Sequence, residues 1–257
     1  MFSQLCYTDF IMKKVLLLQS RPEDVASDNE YEAFCTLGGI PEEMLVRVRM
    51  DQAELPDINL DDYSAVIMGG GPANFSNAKG RKTSMQRAFE PWLFALLERI
   101  TKEDKPFFGA CLGYGAMQMI LGGRLSFDYG EPVMAVEVTK TLAGQSDPLL
   151  AGIPEEFLAF VGHKEGAFNV PEPAVELARS ATCSQMLRHG NNVYATQFHP
   201  ELNGPGLALR ITTYRNAGYF PPEHADELTR MAMETDVIWP VQILKAFVDR
   251  YIKADDY

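Results

Sequence analysis

Pro106-Phe107-Phe108-Gly109-Ala110-Cys111-Leu112-Gly113-Tyr114-Gly115 is the stretch on which the reading of the chain turns. A short apolar run stops in glycine and a cysteine follows. A second glycine then leads into Ala116, Met117, Met119, Ile120 and Leu121, which recur at helical spacing. A buried strand therefore feeds directly into a helix. Glycine on both sides of the cysteine permits the tight strand-to-helix turn that displays one side chain at the carboxyl edge of a sheet. The same turn sets Cys111 at a helix N-terminus, where the dipole favours a thiolate. A lone cysteine reads as buried and structural; one inside Gly-x-Cys-x-Gly reads as a nucleophile.

Outward from this turn, apolar runs alternate with helical patterns. Val15-Leu16-Leu17-Leu18, residues 44–50 and Ser64-Ala65-Val66-Ile67-Met68 read as strands before the elbow, and residues 84–101 read as a helix carrying Phe89, Trp92, Leu93, Leu96, Leu97 and Ile100. Phe89 and Trp92 read as core. This alternation predicts one α/β domain on a mainly parallel, flavodoxin-like central sheet flanked by helices. From 124 to 198 the texture changes to extended segments at 133–139, 157–161 and 193–198, expected as added antiparallel strands. After Pro205 helices are expected at about 206–217, 223–235 and 240–252. Residues 1–12 carry no pattern and read as an N-terminal extension to a domain at 13–257, with a core at 13–201 and a C-terminal helical segment at 205–252.

Composition bounds the possible functions. The chain has 257 residues, 46% hydrophobic and 23% charged, close to the globular average of about 45–50% and 25%. Its formal charge of −12, from 23 basic and 35 acidic residues, argues against binding a phosphate backbone, so nucleic acid is not an expected partner. No stretch approaches the roughly 20 apolar residues that span a bilayer. Lys13-Lys14 precedes an apolar run of only a few residues, short of the about 7–15 of a secretory signal, so the segment reads as a strand. The four cysteines, Cys6, Cys35, Cys111 and Cys183, have neither zinc-site nor disulfide spacing, and free thiols in the cytoplasm are the expectation. Apart from Cys111 they read as inert. His189 and His224 read as surface residues.

A thiolate nucleophile needs a base, usually a histidine oriented by a third group. Gln197-Phe198-His199-Pro200-Glu201 supplies both: in an extended segment His199 and Glu201 project to one side, and Pro200 stiffens the backbone between them. Met68-Gly69-Gly70-Gly71-Pro72 closes the third strand. A glycine run lets backbone N–H groups face a ligand, as an oxyanion hole requires, although by itself it reads equally as a strand-to-loop turn. It lacks the Gly-Lys-Ser/Thr ending of a nucleotide loop.

Gly69-Gly70-Gly71-Pro72, Gly109-Ala110-Cys111-Leu112-Gly113 and Phe198-His199-Pro200-Glu201, in this order, resemble the class I glutamine amidotransferases, and in particular free-standing proteins similar to the glutaminase domain of GMP synthase. The resemblance spans about residues 13–201 and includes Gly162-His163-Lys164-Glu165, where that subgroup carries a His-x-Asp/Glu signature. It implies that Cys111 attacks the γ-carboxamide of glutamine, His199 shuttles the proton, Glu201 orients His199, and the N–H groups of Gly71 and Leu112 form the oxyanion hole. A γ-glutamyl thioester would form, ammonia would leave, and water would release glutamate, with no metal or organic cofactor required.

One position departs from the family. The fourth residue after the nucleophile is usually a substrate-holding glutamine; here it is Gly115, with Gln118 the nearest glutamine. Either Gln118 reaches in, or the pocket accepts a γ-glutamyl compound larger than glutamine. Gly70, His163 and Glu165 are further substrate-binding candidates, the last two as a loop beside the pocket, against the alternative of a solvated turn. Ammonia release implies a separate synthetase partner, since the residues after Glu201 carry no phosphate loop; a homo-oligomer is also open. The alternatives are a plain hydrolase of γ-glutamyl bonds, a non-catalytic binding module that kept the fold, and, ranked last, a related chaperone-like cysteine hydrolase.

Overall fold

The computed structural model describes residues 13–52 and 54–253. The expected extension at 1–12, with Cys6, lies outside the described residues. In chain order the elements are β1 (Lys14–Gln19), α1 (Asp24–Thr36), β2 (Leu45–Arg49), β3 (Tyr63–Met68), α2 (Ser84–Glu103), β4 (Phe107–Ala110) and α3 (Leu112–Ile120). There follow β5 (Glu131–Lys140), the single turn α4 (Leu142–Gln145), β6 (Glu156–His163), β7 (Val175–Arg179), β8 (Ser184–His189) and β9 (Val193–Thr196). Three helices complete the described chain: α5 (Gly204–Thr213), α6 (Ala225–Glu234) and α7 (Trp239–Tyr251).

All nine strands join one sheet in the order β2-β1-β3-β4-β9-β8-β7-β5-β6. The first five pair in parallel and the remaining pairs are antiparallel. The parallel half has the doubly wound order 2-1-3-4-5, with β9 in the fifth place. A single α/β domain on a large mixed sheet flanked by helices is therefore what the chain forms.

Strand β1 shows why. Successive side chains alternate between faces, so Val15 and Leu17 join the core that includes Phe34 of α1 and Phe247 of α7. Leu16 and Leu18 join the opposite core with Phe89, Leu93 and Leu97 of α2. All four are fully buried, the mark of a strand covered on both faces. A third cluster packs Leu207 and Ile211 of α5 and Ala232 of α6 against Val133 and Phe160 of β5 and β6.

Several features differ from the sequence reading. Helix α1 and strands β7 and β8 have no counterpart in it, and the extended run at 193–198 ends as a strand at Thr196. His189 is half-buried at the end of β8, whereas His224 is exposed as expected. Phe89 is core, and Trp92 is half-buried, its indole N–H donating to Pro56 O at 2.9 Å. Among the described residues no helix is long and apolar enough to cross a membrane.

The topology decides where chemistry can happen. In an open α/β sheet the crevice forms at the carboxyl ends of the parallel strands, where the strand order reverses. Ser20 and Arg21 follow β1, Gly69–Gly71 follow β3, Cys111 follows β4 and His199 follows β9.

Candidate active site

Cys111 is the N-cap of α3 and holds φ +51°, ψ −90°. A non-glycine residue pays roughly 1–3 kcal/mol for such a conformation and keeps it only where the surroundings fix it. The flanking glycines are part of that fixing. A Cβ on Gly109 would lie 2.8 Å from the carbonyl carbon of Gly113, and one on Gly113 would lie 3.0 Å from Met68 O. The strand and the helix approach too closely for side chains at either position. The Cys111 N–H donates to Thr196 O at 2.7 Å, which ties the elbow to β9.

His199 enters from the far side of that pairing. Its N–H donates to Phe160 O of β6 at 3.1 Å, and its Nδ1 lies 2.8 Å from Glu201 Oε1. The segment is a turn here, not the extended stretch expected, and the turn brings the carboxylate back under the ring. The position a Cβ on Gly70 would take is 2.6 Å from His199 Cε1 and 3.5 Å from Cys111 Cβ, so the ring and the base of the Cys111 side chain flank the same glycine. Glu201 is fully buried and Cys111 and His199 nearly so. Burial opposes the charged form of His199, but the Glu201 carboxylate and Cys111 outweigh it and push the ring up to about 9. Burial likewise opposes ionisation of Glu201, yet His199 and then Arg210 hold it well below the usual carboxylate range.

Behind this pair lies a buried ion network that the sequence did not reveal. Arg210 of α5 donates to Glu201 Oε1 at 3.0 Å, and its Nη2 lies 3.7 Å from Glu30 Oε1. Glu30, fully buried on α1, accepts from Arg21 Nε at 2.9 Å and from the Gly70 N–H at 3.1 Å. Glu30 therefore braces both the glycine run and the arginines.

Among the described residues the N–H groups of Gly71 and Leu112 make no hydrogen bond. A Cβ on Gly71 would collide with Ser20 Oγ and come within 3.1 Å of Leu112 Cδ2, so only glycine fits between these walls. The two free donors sit on the segments that flank Cys111, as an oxyanion hole needs.

Two clefts meet at Cys111 and share Gly71, Gly162 and Tyr219. One is lined by Asn74, Gly115, His163, Lys164, Glu165 and Gln197. The other is lined by Arg21, His199, Arg210, Tyr214 and Phe220, with Leu207 and Ile211. Gly115 thus reaches the site, but Phe75 Cδ2 and Leu125 Cδ1, 3.4 and 3.5 Å from where its Cβ would be, occupy the neighbouring space. Gln118 lines neither cleft: it is fully buried, and its Nε2 donates to Tyr114 Oη at 2.8 Å. The amide that does approach the thiol is Gln197, with Nε2 at 3.9 Å from Cys111 Sγ.

His163 and Glu165 are buried at the cleft edge and are not a solvated turn, and their polar atoms are engaged with the protein. Glu165 accepts from the N–H of Phe75 at 2.6 Å, the N–H of Ser76 at 3.0 Å and the Ser76 hydroxyl, and so anchors the loop beyond the glycine run. His163 faces Glu165 O and Glu131 Oε2, each at 2.9 Å. Glu131, His163 and Cys183 are close enough together to hold a metal ion. Their surroundings suit a hydrogen-bonded carboxylate better: the Ser180 hydroxyl and the Gln185 amide both donate to Glu131, at 2.7 and 2.6 Å, and Gln185 Nε2 also lies 3.3 Å from Cys183 Sγ. Burial pushes the Cys183 thiol up to about 12, which disfavours the thiolate a metal would bind.

A parallel sheet with a cysteine elbow after β4 and a histidine–glutamate turn after β9 defines a class of protein. The family model for class-I glutamine amidotransferases matches residues 42–206, more than half of the chain, and the chain belongs to that family. A glutamine-hydrolysing GMP synthase subunit of Thermoplasma volcanium is 29% identical over 193 residues, covering 72% of this chain and 85% of the relative. The GMP synthase subunit of the same name from Methanopyrus kandleri is 28% identical over 141 residues, 54% of this chain and 67% of the relative. The crystal structure of a glutamine amidotransferase from Thermotoga maritima superposes with a TM-score of 0.76 at 19% identity, covering 94% of this chain and 99% of that one.

Proposed function

We propose that the chain hydrolyses the γ-carboxamide of glutamine through a thioester on Cys111. Family membership supports the reaction class, and the observation that carries the residue assignment is the convergence on Gly70. There the strained Cys111 and a His199 bonded to Glu201 lie against one glycine, beside two N–H donors without a partner among the described residues.

In this reading the thiol proton already rests on His199, whose ring is pushed up to about 9, and Cys111 Sγ attacks the γ-carbonyl carbon. The N–H groups of Gly71 and Leu112 hold the developing oxyanion. The C–N bond breaks as His199 returns the proton to the leaving nitrogen. Water, deprotonated by His199, then attacks the thioester and releases glutamate. Glu201 fixes the ring orientation, and its charge stabilises the imidazolium that protonates the leaving nitrogen. Gly115, His163 and Glu165 belong to the cleft that receives the glutamyl group, the last two by shaping its wall. Relatives named as one subunit of a glutamine-hydrolysing synthase support a separate synthetase partner that takes up the ammonia. A site built on a free thiol suits the reducing cytoplasm, where we place the protein.

Glutamate release from glutamine tests the reading. The purified chain is expected to release it, and Cys111→Ala is expected to lose that release while keeping its melting transition; equal turnover by the variant would remove Cys111 from the mechanism.

A further inference from the structure

Resting on the thioester reading above, we propose that the cleft on the His199 side of Cys111 is a leaving-group subsite. It takes an amine that carries a carboxylate on an apolar body, that is, the amino-acid half of a γ-glutamyl dipeptide, with Arg21 as the partner of the carboxylate.

The first observation is which cleft holds the histidine. A leaving nitrogen must depart toward the group that protonates it, and His199 lines one of the two clefts only. Ammonia needs no pocket there. The cleft nevertheless encloses a cavity of about 50 Å³ that opens to solvent between Leu207, Ile211, Tyr214, Tyr219 and Phe220. Walls of this kind gain by covering an apolar or aromatic side chain.

The second observation is Arg21. Only 4% of it is exposed, and two of its three guanidinium nitrogens are fixed: Nε donates to Glu30 at 2.9 Å and Nη1 to Tyr214 Oη at 3.2 Å. The third, Nη2, makes no hydrogen bond among the described residues. It lies 2.6 Å from the position a Gly70 Cβ would take, the point from which His199 Cε1 is also 2.6 Å away. A preoriented guanidinium N–H is thus held beside the ring that protonates the leaving amine. In an amino acid the carboxylate is two bonds from that nitrogen, a reach that suits this spacing. Arginine stays charged and matches carboxylate geometry.

The step balances as a hydrolysis. The amide C–N bond breaks while the Cys111 S–C bond forms, the proton on His199 goes to the leaving amine, and water completes the cleavage. Glutamate and one amino acid leave for each water consumed.

The test compares γ-glutamyl-phenylalanine with its C-terminal amide, which differs only in the carboxylate. In the unsubstituted protein the acid is expected to have a kcat/KM about tenfold or more above the amide, the size of one charge-assisted hydrogen bond. Arg21→Met is expected to bring that ratio to about one, and Arg21→Lys to leave it in between. Calorimetric titration of Cys111→Ala with both ligands is expected to show the same preference in Kd. Equal kcat/KM and Kd for acid and amide overturn the subsite, and so does a failure of the dipeptide to bind or turn over while glutamine is hydrolysed; in both cases the thioester reading stands. A preference in Kd without turnover of any γ-glutamyl compound sustains the subsite and overturns the thioester reading. If Arg21→Met does not fold, the two ligands on the unsubstituted protein still decide.

Discussion

Arg210 Nη1 lies 3.0 Å from Glu201 Oε1, the same carboxylate oxygen that holds His199 Nδ1 at 2.8 Å. One oxygen therefore serves the ring and a guanidinium at once, while Glu201 Oε2 has no hydrogen-bond partner among the described residues. The guanidinium is what prevents this lopsided carboxylate from turning, which makes Arg210 a positioning residue.

Arg210→Met is expected to lower kcat about tenfold and to raise the alkaline limb of the pH profile, because a cation beside the imidazolium is lost. Removing one member of a buried ion network also costs roughly 3–5 kcal/mol of stability. Arg210→Lys is expected to recover part of kcat. An Arg210→Met variant with a lower melting temperature but an unmoved pH profile would leave Arg210 with a structural role alone.

The ring itself predicts a pH dependence. Burial opposes its charge, but Glu201 and Cys111 raise His199 from 6.5 to about 9. A raised histidine contributes stability that is fully present below 6.5 and fades as pH climbs through about 9. Protonation of the leaving nitrogen needs the imidazolium, so kcat/KM should fall across the same range. Glu201→Gln removes the larger of the raising charges and should move the limb down toward 6.5. A limb unchanged in Glu201→Gln would separate this carboxylate from the ring's titration.

The elbow predicts a steric effect. Gly109→Ala sets a Cβ 2.8 Å from the Gly113 backbone, which has no side-chain freedom with which to yield. Overpacking of this kind costs typically 1–3 kcal/mol, and turnover should fall further than stability does because Cys111 moves with the strand. A variant with unaltered melting temperature and turnover would show that the strand and helix can separate at no cost.

Gln118 and Glu165 predict opposite outcomes. Gln118→Met keeps volume and lies outside both clefts, so kcat/KM should stay within about twofold, while loss of the hydrogen bond to the buried Tyr114 hydroxyl should cost about 1–3 kcal/mol of stability. Glu165→Ala releases the Phe75 and Ser76 N–H groups and should raise KM by about tenfold as the loop loosens. Steady-state kinetics of the two variants would expose a reversal of these roles.

Much of this was legible in the sequence for a simple reason. Strands β1, β3 and β4 are short apolar runs that stop at polar or glycine residues, so their carboxyl ends, where the site lies, announce themselves. Helix α1 was not legible because Ser27 and Glu30 are among its buried residues, which breaks the apolar stripe. Strand β8 buries Ser184 and Gln185 beside apolar groups, and β7 buries the adjacent Leu177 and Ala178, so neither shows an apolar–polar alternation. Arg21, Glu30 and Arg210 were missed because charged residues read as solvated until tertiary structure pairs them. His199 and Glu201 lie within hydrogen-bond distance, and a turn, not the expected extended segment, joins them. Gln118, one of the two readings of the position left by Gly115, lines neither cleft and is bonded to Tyr114 one turn back on α3.

The thioester is the species from which the rest follows, and it can be weighed directly. Acid-quenching the protein during turnover of glutamine and mapping its peptides by mass spectrometry should find one added γ-glutamyl group, on the peptide bearing Cys111. His199→Ala should acylate at least ~10²-fold more slowly. A γ-glutamyl group on a different residue, or sustained hydrolysis by Cys111→Ala with no adduct, would mean that another group attacks the amide.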